Sequence, residues 1–408
     1  MAATQARTAW RWRVLAVVAA SLLVVALVGL VVVRARSLGP PPRIGAGSGR
    51  LAAPAGPYVA ARPRAIYDVV DFGADPTGQR DATAAIARAI SAAEREPGSE
   101  VYFPPGRYLL DQRSSRLFTF VIDRRIELVG AGIDRTELIN EVGAKTPGVK
   151  LSRDMFAIEV APGTQVGGGS GSVIADMTLD SASYDAGTDV MDFANHTTLA
   201  NLRVDAASSS NRYNPNSFGI RVIAVCSPRT INSVFRVGNL VEHVTIVGNG
   251  ADGMTELDLS CQVGTVVSDV HIAGNGMDIF YCHHDLVSGA TLVGGTDGDT
   301  KRYTWVITGS SDIRLERVTT VGNGGVIAPD VRLVSRGITI SGEVMRNPAD
   351  ALYIGDATAV TIANSQLGVI AMLPRRAISG VLLEETRYRS VRCKRGVAIT
   401  HLVGLACP

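Results

Sequence analysis

Lysine is nearly absent from this chain: only Lys145, Lys150, Lys301 and Lys394 stand among its 40 basic residues. Those cations meet 38 acids, for a formal net charge of +2, which excludes a broad nucleic-acid footprint. Aromatic residues make up 5% of the sequence and there are six histidines. Cysteine is scarce too: Cys226, Cys261, Cys282, Cys393 and Cys407 contain no C-x-x-C pair, which excludes a zinc-ribbon or thioredoxin-type site. An odd number leaves at least one thiol outside any intrachain pair. What the chain has in quantity is glycine, 43 residues, and hydrophobic residues, 46%. That balance suits many short strands joined by tight turns.

The long apolar run lies near the N-terminus. Val14 to Val33 is apolar apart from Ser21 and Gly29, and some 20 residues at ~1.5 Å each span a bilayer core of ~30 Å. It ends in Val31-Val32-Val33-Arg34 with no small-x-small cleavage site, so it reads as a signal anchor. Arginines flank both sides, Trp10 and Trp12 sit at the expected interface, and the exported character of the remainder places the N-terminus inside. The expected organisation is a cytoplasmic tail (1–13), a single transmembrane helix (14–33), a Pro/Gly/Ala linker (34–64) and one extracytoplasmic domain (65–408) at the cell membrane.

That domain opens with Tyr67 to Phe72 as a strand, Gly73 to Gly78 as a turn, and Asp81 as N-cap of an Ala-rich helix from Ala82 to about Glu94. Val101-Tyr102-Phe103 and Arg107 to Leu110 follow as strands around Pro104-Pro105-Gly106. The run Asp71-Phe72-Gly73-Ala74-Asp75, then Asp81 to Ile86, then Val101 to Tyr108 resembles the opening of the pectate-lyase-like β-helix superfamily. Polygalacturonase-type hydrolases, mannuronan C5-epimerases and phage depolymerases share it. The resemblance covers about fifty residues and implies an all-β, right-handed, single-stranded parallel β-helix whose first helix caps the N-terminal end. It implies a polysaccharide partner and leaves the reaction open.

Internal repeats support the same solenoid. Val244-Thr245-Ile246-Val247-Gly248-Asn249-Gly250 recurs 26 residues later from Val270 to Gly276, and again from Val318 to Gly324. Weaker copies are Met177–Leu179, Leu202–Val204, Ala290–Leu292 and Val360–Ile362. Asn249 and Asn275 are expected to stack as an internal ladder. A second strand follows each repeat: Val190–Phe193, Gly219–Val222, Gly253–Glu256, Ile279–Cys282 and Thr304–Ile307. In this register Cys226 and Cys261 fall within one residue of each other on neighbouring coils, close enough for a disulfide. Cys393 and Cys407 would close the C-terminal tail, leaving Cys282 as a buried thiol.

The same register, with Met191, Ile220, Met254 and Phe280 inward, points Asp192, Arg221, Thr255 and Tyr281 outward, with His283 on the same face. Arg221 would hold a sugar carboxylate through its planar fork. Tyr281 and His283 would exchange protons, and Asp192 would orient Arg221. Thr255, Glu256, Asp252, Asp278 and His284 line the expected substrate surface. Asp252, Asp278 and Asp350 precede their strands and would supply the carboxyl pair of a glycosidase. No motif demands a cofactor; calcium is the ion that Glu256 and Asp258 with neighbouring acids would suit. The basic stretch Arg387 to Arg395 reads as a solvated tail. The epimerase pattern Tyr-x-x-Asp-x-His is absent, as are the Asn-Thr-Asp, Gly-His-Gly and Arg-Ile-Lys signatures of polygalacturonases. The leading expectation is a lyase or epimerase on a uronate polysaccharide. A glycoside hydrolase on the same face and a non-catalytic carbohydrate-binding or structural surface protein are the alternatives.

Overall fold

Short stretches of alternating apolar and polar residues find their partners one coil away. A computed structural model describes residues 62–111, 118–142, 154–159, 168–181, 188–206, 218–224, 235–248, 255–274, 276–294, 303–328, 333–347 and 349–407. They belong to one unit, Leu51–Pro408. The expected membrane segment 14–33, most of the linker, Asn249, Asp252, Met254, Asn275 and Cys226 lie outside the described residues. No helix among the described residues is long and apolar enough to cross a membrane.

Pairing is parallel from the first coil to the last, which makes the domain a parallel β-helix with three faces. Sheet I contains Phe118–Ile122, Asp154–Ile158, Thr188–Asp192, Phe218–Ile223, Thr255–Ser260, Met277–Phe280, Trp305–Thr308, Gly325–Ala328 and Ala351–Ile354. Sheet II includes Val266–Ser268, Leu286–Ser288 and Arg314–Glu316. Sheet III includes His271–Gly274, Thr291–Gly294 and Thr319–Val321. The expected repeat is the sheet III ladder: Thr245, His271, Thr291 and Thr319 are successive register partners. Val360–Ile362 belongs instead to sheet II, since Thr361 pairs with Thr339 and Thr339 with Arg314.

Inward side chains stack in columns. Val190, Ile220, Leu257, Met277 and Trp305 form one, and Val222, Leu259, Ile279 and Ile307 another; all are 0–1% exposed. Each large apolar side chain withdrawn this way is worth roughly 1.5–3 kcal/mol. Trp305 stacks on Gly325, where a side chain would collide with the indole. The indole Nε1 donates to buried Glu343 at 3.1 Å. A helix, α1 (Thr83–Ala93), packs Ile86, Ala89 and Ile90 against the first coils. The helix starts one residue later than expected, with Ala82 rather than Asp81 at its N-cap and no side chain capping it; Asp81 ends the preceding strand, and its Oδ1 accepts from Thr83 N at 2.9 Å.

The expected strand Tyr67–Phe72 is shorter, Ile66–Asp68, because the chain turns at Val69, whose carbonyl accepts from Phe72 and Ala74. Thr77–Asp81 is a strand where a turn was expected. Cys393 and Cys407 are bonded, with Cα atoms 5.6 Å apart. Cys261 is also disulfide-bonded, and Cys282 is buried and free.

The corners carry left-handed residues. Between sheets II and III lie Asp176 (φ 58°), Asn201 (φ 48°), His243 (φ 53°), Asp269 (φ 51°), Gly289 and Arg317 (φ 53°). Past sheet I lie Cys261 (φ 59°), Tyr281 (φ 57°) and Gly309. A polar ladder runs inside the coil near this second corner, built by residues other than the expected pair: Asn239 Nδ2 donates to Ala194 O and to Gln262 Oε1, both at 3.1 Å.

Several acids are enclosed with the apolar columns. Burial pushes the carboxyls of Asp192, Asp285 and Glu343 up to about 7 and that of Asp189 well above its ordinary value. A folded state that holds these protons while the unfolded chain releases them near pH 4 loses stability as pH rises through that window. We expect the thermal midpoint to fall by roughly 5 °C or more between pH 5 and pH 8. A scan in which it rises over that interval would show that these carboxyls are ionised in the fold.

Candidate active face on sheet I

The outward side of sheet I is set by its register, and that register corrects part of the expected site. Met191, not Asp192, pairs with Arg221, because Val190 is the residue stacked on Ile220. The one-residue slip turns Asp192 inward. It is 0% exposed, accepts from Ala194 N at 2.8 Å and from the Thr197 hydroxyl, and helps build the corner. Phe280, expected inward, faces outward, and Tyr281 lies beyond the strand in the left-handed corner, its ring beside Gly309 of the next coil.

His283 is a corner bridge between Val263 and Ser311. Its Nδ1 lies 2.6 Å from Ser311 Oγ and its ring packs 5.0 Å from Phe235. Burial holds its imidazole below the ordinary range. His284 is an exposed left-handed residue 3.7 Å from Asp312. Glu256 is fully buried and accepts from Gly276 N at 2.6 Å, so it does not line the face. Nor does it converge with Asp258 on a calcium site; among the described residues no three His, Cys, Asp or Glu side chains form a metal-holding group.

What the face does assemble is centred on three coils. Arg221, Asp258 and Asp278 are successive register partners. Arg221 Nε donates to Asp258 Oδ2 at 2.9 Å, and the guanidinium lies 4.0 Å over the Phe218 ring. Ser260 Oγ donates to Asp258 Oδ1 at 2.7 Å. Thr255 Oγ1 donates to Asp278 Oδ2 at 2.8 Å. Phe280 stands two residues past Asp278 on the same side of the strand. Arg221 and Thr255 therefore share one face, as expected, and Asp278, expected just ahead of its strand, lies within Met277–Phe280 on the same face. Asp258, Ser260, Phe218 and Phe280 join them there without having been expected on it.

The two carboxyls differ in their surroundings. Asp258 is the ion partner of Arg221 and is 3% exposed beneath it. Asp278 is partly exposed, and desolvation, opposed by the Thr255 hydrogen bond and reinforced by Asp258, pushes it up to about 7. Neighbouring coils lie ~4.8 Å apart, and two like charges at that distance resist joint ionisation. An acid raised to about 7 beside one held in an ion pair, flanked by aromatic rings, can divide proton donation from charge stabilisation on a sugar. A separate cleft of about 420 Å³ on the outer side of sheet III is lined by Arg107, Arg135, Glu137, Arg203 and Asp205. Its Arg107–Glu137 and Arg203–Asp205 pairs largely neutralise one another.

Residues 66–281, from the first strand to the corner beyond Asp278, match the family described as rhamnogalacturonase A/epimerase, pectate lyase-like. The chain belongs to that family. Alginate lyase 7 of Azotobacter vinelandii is 40% identical over 73 residues, which is 17% of this chain and 8% of that protein. The Dettilon tailspike protein superposes with a TM-score of 0.60 at 10% identity, over 83% of this chain and 68% of that one. The catalytic domain of a GH87 α-1,3-glucanase in complex with tetrasaccharides gives 0.52 at 13% identity, over 86% and 67%. At these identities the structural likeness shows the fold. The family is one of polysaccharide-active β-helices.

Removing Arg221 leaves Asp258 buried without its cation. We expect Arg221→Ala to cost about 1–3 kcal/mol in denaturant unfolding and Arg221→Lys to recover most of it. Equal losses in the two variants would show that the packing of the fork on Phe218, rather than its charge, is what the fold uses.

Proposed function

We propose that this chain is a polysaccharide-cleaving enzyme that works on the outward side of sheet I, with Asp278 as general acid and Asp258 as its carboxylate partner. The observation that carries the reading is the register pair Asp258–Asp278, the first in an ion pair with Arg221 and the second pushed up to about 7 by desolvation. Asp278 gives its proton to the glycosidic oxygen as the bond to the anomeric carbon breaks. Asp258 meets the positive charge that develops there. Water then supplies the hydroxyl at the anomeric carbon, and its remaining proton restores Asp278. Substrate groups that draw Arg221 away uncover Asp258, and Phe218 and Phe280 offer ring faces to the sugars. The ~4.8 Å coil spacing is nearer the ~5 Å carboxyl separation of retaining enzymes than the wider inverting one.

Asp278→Asn should lower turnover by about 10²–10⁴-fold with an unchanged thermal midpoint. In the parent protein kcat/KM should fall as pH rises through about 7, because the acid form of Asp278 is lost. The starting anomer observed by NMR in the first product would support retention. An Asp278→Asn variant with full activity removes the assignment.

A second reading, elimination or C5 epimerisation at a uronate, is favoured by one feature. The terminal nitrogens of Arg221 have no hydrogen-bond partner among the described residues and are free to take a carboxylate as a planar fork. New ultraviolet absorbance on cleavage, or proton exchange without cleavage, would select this reading over hydrolysis. We also place the domain outside the cytoplasm, held by residues 14–33. Protease added to intact cells should cut within 34–64, and protection of that stretch with cutting before residue 14 would reverse the orientation.

A further inference from the structure

The stretch Arg387–Cys393 is a strand in register with Gln366–Met372, not a free tail. Following the sheet I register from Asp278 gives Val306, Val326, Tyr353, Ala371 and then Arg392. Arg392 therefore stands in the same outward column as Arg221, Asp258 and Asp278. Lys394, two residues on, follows Cys393, which pairs with Met372, and so continues the neighbouring outward column through Leu373. Arg389 lies between Tyr388 and Ser390, the partners of Leu367 and Val369. Three cations thus stand side by side across one end of the face, all exposed. Arg389 and Arg392 have no side-chain partner among the described residues, and Lys394 Nζ reaches only the Pro374 carbonyl at 3.3 Å.

Between this end and the acid pair stands an aromatic step. Tyr353 occupies the column itself, and Tyr303 packs edge-on against it with ring centroids 5.1 Å apart. Both rings are partly exposed. Five coil steps at ~4.8 Å separate Asp278 from Arg392, roughly 24 Å. A lone sugar cannot touch both ends; an extended chain of several sugars can.

We propose that Arg389, Arg392 and Lys394 form a distal binding site for an acidic polysaccharide chain, which then runs over Tyr353 and Tyr303 toward Asp278 and Asp258. The proposal rests on the reading of sheet I as the saccharide face and adds what that reading leaves open, the charge and the length of the substrate. The acid pair needs a water-poor, weakly anionic neighbourhood, so it cannot itself hold a string of carboxylates. The cations that hold the anionic chain stand away from it, where they leave Asp278 in its acid form. An anionic lipid surface would use the same charges but has no reason to follow the tyrosine column.

The test is affinity electrophoresis of the full chain carrying Asp278→Asn, so that binding is read without turnover. Polygalacturonate and polymannuronate are the acidic probes and dextran is the neutral one. Adding Arg389→Gln and Arg392→Gln should weaken retention by both acidic polymers at least tenfold and reduce its salt dependence. Retention by dextran and the thermal midpoint should not move. Arg317→Gln, an exposed arginine at the corner between sheets II and III, should leave acidic-polymer retention unchanged. Tyr353→Ala should weaken retention of long acidic chains while leaving acidic disaccharides as before. The proposal is overturned if the double variant binds acidic polymer like its parent, if Arg317→Gln loses as much, or if the parent binds no acidic polymer. Loss of binding to anionic lipid vesicles in place of polysaccharide would overturn it as well. None of these readouts uses catalysis, so they decide the distal site whether or not Asp278 proves to be the general acid.

Discussion

Parallel stacking in strict register is the constraint on which everything else in this domain depends. Each residue sits over its equivalent on the preceding coil at ~4.8 Å, so a column of like side chains is the unit of construction. Inward columns of Ile, Leu, Val and Met can repeat at will, because apolar groups gain from being stacked and withdrawn from water. A charged column cannot repeat without penalty. Where two carboxyls fall in one column, as Asp258 and Asp278 do, the fold must neutralise one and pair the other. Arg221 on the preceding coil supplies the pair. Burial, the Asp258 charge and the hydroxyl of Thr255 set the state of Asp278. The chemistry of the face is therefore a consequence of how the scaffold resolves its own electrostatics.

The corners impose the complementary constraint. A coil must bend sharply at the same place each time, and the bend takes a left-handed residue. That conformation normally favours Gly, Asn or Asp. Here Cys261, Tyr281, His284 and Arg317 adopt it, held by the hydrogen bonds of the coils above and below. His284 and Arg317 leave their side chains exposed, whereas Tyr281 lies against Gly309 and its neighbour His283 bonds Ser311. Tyr281 and His283 thus both serve the corner.

This explains what was legible in the sequence. The sheet III repeat could be read because Val244–Asn249 and Val270–Asn275 share a Val-x-Ile-x-Gly-Asn pattern and Val318–Asn323 departs from it only at Thr320, and Thr245 does pair with His271. The capping helix, Cys393–Cys407 and the outward placement of Arg221 and Thr255 were also readable. The register of sheet I was not. Its strands recur after 20 residues from Leu257 to Met277, after 28 from Met277 to Trp305, and after 20 from Trp305 to Gly325. The connection from sheet III varies from coil to coil, so an offset learned in one sheet does not carry into the next. The signal that would have found Asp258 was local: Leu257-Asp258-Leu259 and Met277-Asp278-Ile279 share one apolar–acid–apolar pattern. Asp192 carried the opposite lesson. Met191 precedes it and looks like an inward residue, yet Val190 is the better-branched strand residue and takes the inward place, turning the acid into the core.

A solenoid of this kind separates two demands that most enzymes must satisfy together. Inward columns set stability and tolerate few changes, as the fit of Trp305 over Gly325 illustrates. Outward columns meet only one neighbour above and one below, so a coil can change its outward residue without disturbing the core. Length then becomes a functional variable. A site of two acids needs two coils, whereas the distance from Asp278 to Arg392 needs six. The coils that carry Val306, Val326 and Ala371 in the column of Asp278 place apolar residues there and bring no charge into it. This apolar stretch is what allows the acids Asp258 and Asp278 and the cation Arg392 to share one sheet without meeting.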